Sequence, residues 1–202
     1  GGVVHGYGLA ASQLLRVRQA GIQLTVSVDK VAASGGYMMA SVANQIIAAP
    51  FAVVGSIGVV AGVPNVHRLL KRFDVDYEEL TAGDYKRTMS LLGENTEEGR
   101  KKFMEQIEDV HMLFQEFVSQ HRPVVDIKEV STGEAWYGER AKEINLIDDL
   151  MTSDEYIVSS CKEADVYEVR WVTPPKKPIE KLVEQVEGRV LLPIKNIVRL
   201  FK

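Results

Sequence analysis

The chain has a single cysteine, Cys161, among 202 residues. One thiol excludes an internal disulfide and any cysteine-cluster metal centre, and it leaves the redox compartment open. Histidine is scarce as well. His5, His67, His111 and His121 are scattered without a metal-ligand spacing such as His-Glu-x-x-His, and they read as surface or packing residues. The sequence therefore implies no metal and no cofactor. An excess of positive charge is also missing: the net charge is −4, so nothing suggests a nucleic-acid footprint. Apolar residues make up 46% and charged residues 26%, the balance of a globular chain long enough for one full core with or without a tail.

Charge of either sign is absent from Val31 to His67. Within that stretch, Ile46–Val63 reaches membrane-spanning length and is interrupted by one hydroxyl, Ser56. Pro50, Gly55, Gly58 and Gly62 break it, and the pairs Ile46-Ile47, Val53-Val54 and Val59-Val60 predict two or three short buried strands instead. The chain also lacks an initiator methionine and a signal-peptide pattern. Its start, Gly1-Gly2-Val3-Val4-His5-Gly6-Tyr7-Gly8, reads as the middle of a fold, so a fragment is expected, with part of the domain preceding Gly1.

What is present is organised around Val26–Ala40. A β-branched strand runs into a turn of small residues with Ser34 at its apex, and a helix opens on Gly35 and Gly36. Such a turn exposes a hydroxyl while the following N–H groups point at whatever the hydroxyl attacks. A small-residue packing turn would use the same residues, and the first glycine of Gly-x-Ser-x-Gly is absent.

Spacing predicts a helix over Leu9–Ala20 closed by Gly21, a strand over Ile22–Val28, and a helix capped by Asn65 with Val66, Leu69, Leu70 and Phe73 inward. A strand at Val75–Leu80 and a loop at Thr81–Thr88 follow. The longest helix opens at Asn95-Thr96-Glu97-Glu98, with Asn95 and Glu98 at capping-box spacing, and presents Phe103, Ile107, Val110, Leu113, Phe114, Phe117 and Val118. Further on come a helical turn at Ile127–Val130, an aromatic loop at Gly133–Gly138, a helix over Glu139–Ile144 and a strand at Leu146–Asp148. A helix capped by Ser153 and a strand over Val166–Val172 complete the domain, residues 1–172. Prolines make 173–178 a linker, and 179–202 is an amphipathic tail with a basic end, suited to a neighbouring subunit or a membrane surface. Apolar strands alternating with helices argue for an α/β fold whose sheet is covered on both faces.

As a nucleophile Ser34 needs a base, and no Asp/His pair stands at a diagnostic spacing. A lysine serves if burial lowers its pKa from about 10.4 towards neutrality. Composition leaves the choice among lysines open, with Lys30 nearest in sequence and Lys86 one more candidate.

Three blocks narrow it. Asp29-Lys30-Val31-Ala32-Ala33-Ser34-Gly35-Gly36-Tyr37, Val54-Gly55-Ser56-Ile57-Gly58-Val59 and Gly83-Asp84-Tyr85-Lys86 together resemble the bacterial signal peptide peptidase A family, most of all its SohB-type inner-membrane branch. The resemblance extends through Gly133-Glu134-Ala135-Trp136-Tyr137-Gly138 and covers about residues 1–165. It implies Ser34 as nucleophile, Lys86 as general base, Ser56 as the residue that orients the lysine, and the N–H groups of Gly35 and Gly1 as oxyanion donors. The Ser-Pro that precedes the family's Gly-Gly is missing here. The implied fold is a Clp protease/crotonase-like spiral of ββα units with an added helical region. The implied function is hydrolysis of short extended peptides, such as remnant signal peptides, by a ring- or dome-shaped homo-oligomer. It would be anchored in the bacterial inner membrane through the missing N-terminal part, with the catalytic domain facing the periplasm. Two rivals stand beside it: a non-catalytic assembly module of the same fold and a crotonase-like acyl-CoA enzyme.

Overall fold

The computed structural model describes residues 2–172. The expected linker and tail, 173–202, and Gly1 lie outside the described residues.

Helix α1 (Val4–Gln19) leads into strand β1 (Thr25–Val28), strand β2 (Val31–Ala33) and helix α2 (Gly35–Ala40). The pattern repeats as β3 (Gln45–Ala48), β4 (Val53–Gly55) and α3 (His67–Arg72). Next come α4 (Glu97–His121), α5 (Ile127–Val130), β5 (Ala135–Tyr137), α6 (Gly138–Glu143), β6 (Asp149–Leu150) and α7 (Ser153–Ser160). The two ββα units send their first strands, β1 and β3, to one sheet that β6 completes, and their second strands, β2 and β4, to another that β5 completes. Strands β1 and β3 pair in parallel from Thr25↔Gln45 to Val28↔Ala48, and β2 and β4 from Val31↔Val53 to Ala33↔Gly55. Parallel pairing requires a crossover, which α2 and its flanking turns supply. This is the ββα spiral that the resemblance implies, with α4 as its added helix.

The charge-free stretch supplies much of the core, although Phe51 and Val60 within it are exposed. Ile46, Ile47 and Ala48 on consecutive positions of β3 are all fully buried, so both faces of that strand are covered. Tyr37, Ala40 and Val42 fill one side, and Ala11 lets α1 pack closely on α2. From α4, Phe114 and Val118 enter the core, whereas Leu113 and Met112 are exposed.

The far end of the core is tied by a polar cluster. Arg122, buried at the end of α4, donates from Nε to Asn145 O (2.8 Å) and from its two terminal nitrogens to both Asp148 carboxylate oxygens (3.0 and 3.2 Å). Asp148 also accepts the Ile46 N–H at 2.7 Å. Tyr37 donates to Leu146 O at 2.8 Å, and burial pushes its phenol well above the ordinary tyrosine range, so it stays a neutral donor. Arg122→Met is expected to destabilise the fold by about 2 kcal/mol, read from the urea midpoint. The loss stays below the ~3–5 kcal/mol of a fully buried pair because the Asp148 side chain is 38% exposed.

Several boundaries differ from expectation. Helix α1 starts at Val4, ahead of Leu9, and absorbs Gly6 and Gly8 because it packs on α2. Val75–Leu80 forms no strand; no ladder partner is there, and Glu79 instead pairs with Arg87 at 2.7 Å. Val59-Val60 is likewise outside any ladder. Thr96, and not Asn95, caps α4, accepting the Gly99 N–H at 3.0 Å, while Asn95 accepts the Ser90 N–H. Thr152 caps α7 in a capping box with Glu155, which frees Ser153 to donate its N–H and hydroxyl to Asp29. The strand expected at Leu146–Asp148 lies further on, at Asp149–Leu150, and the aromatic loop holds β5, antiparallel to β4. Residues 165–172, which belong to a separate unit, contain no strand.

Candidate active site

The site grows from the register of β2 and β4. Ala33 lies opposite Gly55, so the next residue of each strand, Ser34 and Ser56, leaves the sheet side by side. The Ser34 N–H donates to Gly55 O at 2.7 Å, one step beyond the ladder. Ser34 has φ 55° and ψ −120°, and Ser56 has φ 50°. Positive φ in a non-glycine residue costs on the order of 1–3 kcal/mol and persists only where the surroundings over-determine it. Here they do. Ser56 N–H donates to Glu134 O at 2.6 Å, Gly133 N–H donates to Ile57 O at 3.1 Å, and α2 begins directly after Ser34.

Gly35 opens α2, and its N–H, in the first turn, has no acceptor inside the helix. The Tyr7 ring of α1 lies against it so closely that an added Cβ would sit 2.4 Å from the ring. Glycine is required there by close approach. A Cβ added at Gly2, beside the expected donor Gly1, would stand 2.8 Å from the same ring.

Ser34, Ser56, Gly35 and Gly2 line one cavity of about 880 Å³, walled further by Met38, Val59 and the α4 residues Val110 and Phe114. Among the described residues its lining has no Asp, Glu, Lys or Arg, and the ionisable side chains in it are His5 and His111. Such a wall disfavours the charged form of an amine that enters it.

Lys86 is not among the lining residues. It is exposed on the 81–88 loop, whose neighbours are held elsewhere: Arg87 by Glu79, and Tyr85 under the Lys102 ammonium at 5.1 Å. Lys30 is exposed too, beside Asp29, whose carboxylate is held below the usual range by the hydrogen bonds from Ser153. The structure thus brings together Ser34, Ser56 and Gly35, and leaves Lys86 outside. The two cavity histidines were not singled out by sequence. His111 follows Val110 and precedes Phe114 by three residues, so its place on the inward stripe of α4 was a signal.

A ββα spiral that presents a strained serine to a cavity whose described lining holds no Asp, Glu, Lys or Arg is the class that fold and site define. The model of peptidase family S49 matches residues 16–167, and the chain belongs to that family. It is 56% identical over 187 residues to a probable protease SohB of Haemophilus influenzae, covering 93% of this chain and 53% of that protein. A probable protease SohB of Buchnera aphidicola subsp. Schlechtendalia chinensis is 61% identical over 159 residues, covering 79% and 52%. The chain spans about half the length of the curated relatives it matches. Among solved structures, a membrane-bound stomatin-specific protease aligns with TM-score 0.45 at 13% identity, covering 74% of this chain and 60% of that one. An enoyl-CoA hydratase/isomerase family member aligns with TM-score 0.42 at 15% identity, covering 80% and 44%. Among the described residues no helix is long and apolar enough to cross a membrane.

Proposed function

We propose that the chain is the catalytic part of a serine endopeptidase that uses a Ser34–Lys86 dyad. The observation that carries the proposal is Ser34 itself, held at φ 55° and ψ −120° between β2 and α2 at the cavity wall. Neutral Lys86 takes the Ser34 proton as Oγ attacks a peptide carbonyl carbon. The Gly35 amide, with Gly1 as the second donor, stabilises the oxyanion. The C–N bond then breaks, the lysine returns the proton to the leaving amine, and water hydrolyses the ester. Ser56, adjacent to Ser34 across the register, orients the lysine.

Because Lys86 is exposed, the dyad requires the 81–88 loop to close over the cavity. Substrate binding or assembly into a homo-oligomer would supply that closure. An apolar cavity suits short extended peptides such as remnant signal peptides, at the periplasmic face of the bacterial inner membrane. The exposure of Lys86 favours one second reading, a non-catalytic assembly module.

Labelling by a fluorophosphonate from pH 6 to 10 separates the two. On the peptidase reading the chain is labelled, with a rate that rises through an apparent pKa well below about 10.4. Labelling is lost in Ser34→Ala and in Lys86→Ala. A folded chain that stays unlabelled across the range excludes the dyad.

A further inference from the structure

The geometry points to His111 as a substrate-binding residue, donating a hydrogen bond from Nδ1–H to a backbone carbonyl of a peptide lying in the Ser34 cavity. This rests on the peptidase reading above.

His111 is half-buried on α4 and shares the cavity wall with Ser34 and Ser56. Its ring is fixed by one neighbour. Gln115, one turn further along α4, donates from Nε2 to His111 Nε2 at 3.2 Å and to Ser131 Oγ at 3.0 Å. With the Gln115 amide nitrogen set towards the ring, His111 Nε2 accepts, which puts the ring proton on Nδ1. One nitrogen is thereby engaged by the scaffold, while Nδ1 has no hydrogen-bond partner among the described residues, on a cavity-lining residue flanked by Val110 and Phe114.

The same contacts tie His111 to the segments that carry Ser56 and Ser34. Ser131 is buried and leads into Thr132 and Gly133, both on the cavity wall. Gly133 N–H bonds to Ile57 O, Ser56 N–H to Glu134 O, and Ser34 N–H to Gly55 O. Hydrogen bonds and short runs of backbone therefore connect the His111 ring through Gln115, Ser131 and the 132–134 segment to Ser56 and Ser34. A donor on the wall it shares with Ser34, where the described lining carries no carboxylate or amine, matches the acceptor that every peptide bond repeats, its carbonyl. It recognises main chain, not sequence.

The test is binding of a fluorescein-labelled apolar octapeptide, followed by anisotropy, to the full chain carrying Ser34→Ala so that the peptide is not consumed. Adding His111→Phe, which keeps ring volume and removes the donor, is expected to raise Kd about tenfold. His111→Asn, whose amide nitrogen reaches the position of Nδ1, recovers most of that loss. Nitrogen-15 spectra of the histidine rings provide a readout that does not depend on how the variants fold. The His111 Nδ1–H tautomer is expected, with its proton shifting when the octapeptide binds. An unchanged Kd in His111→Phe, or an Nε2–H tautomer, overturns the assignment and leaves the peptidase reading standing. No binding of the octapeptide to any variant overturns both.

Discussion

Ser34→Ala is expected to lower hydrolysis of an extended peptide by on the order of 10⁴–10⁶-fold, with no loss of folded protein. Alanine keeps the Cβ, so it occupies φ 55° at the same cost as serine, and it keeps the N–H that bonds to Gly55 O. Only the hydroxyl goes. Ser34→Gly removes the hydroxyl and the strain together, and it should be more stable than the parent by about 1 kcal/mol. A nucleophile held at a conformational cost predicts this opposition: activity lost, stability gained. Comparing thermal midpoints and peptide turnover of the two variants decides it. Residual turnover within about tenfold of the parent in Ser34→Ala would remove Ser34 from the chemistry. A glycine variant less stable than the alanine variant would mean that the turn is not strained.

Gly55→Ala should be among the most damaging single-methyl additions in the chain, at about 2–4 kcal/mol. Gly55 sits at φ 92°, where a side chain is strained whatever the space, and the added Cβ would stand 2.7 Å from the Trp136 ring. Its carbonyl receives the Ser34 N–H, and its successor is Ser56, so a shift in this residue moves both serines. Urea unfolding should show the stability loss, and fluorophosphonate labelling should fall with it in the fraction that remains folded. A double-mutant cycle with Trp136→Leu should recover part of the loss, since the smaller side chain relieves the contact and not the dihedral. Stability within about 0.5 kcal/mol of the parent would contradict the account of this turn.

Local chemistry made much of this protein legible in its residues. The small-residue turn at Ser34, the breaking of Ile46–Val63 into short strands and the long helix after Thr96 all follow from interactions within a few residues: turn sterics, glycine and proline placement, helical spacing. The motif blocks put Ser34 and Ser56 in one site, and the parallel register of β2 and β4 sets the two side by side. Strands were read less well. Val75–Leu80 has the composition of a strand and forms none, while Ala135–Tyr137 read as a loop and pairs with β4, because a ladder is a property of two segments and not of one. Caps slipped by a residue at Thr96 and Thr152, where neighbouring side chains compete for the same N–H groups.

The sequence by itself determined which residues carry reactive groups and which stretch supplies much of the core. Only the tertiary structure decided their company. It held Ser56 at positive φ by hydrogen bonds to 133–134, a segment far along the chain, and Ser34 by one to Gly55 on the neighbouring strand, and it placed His111 on the cavity wall beside Gln115 and Ser131. It left Lys86 on an exposed loop, because Glu79 and Lys102 hold the residues on either side of it. Those outcomes depend on contacts between distant segments, which no local pattern encodes.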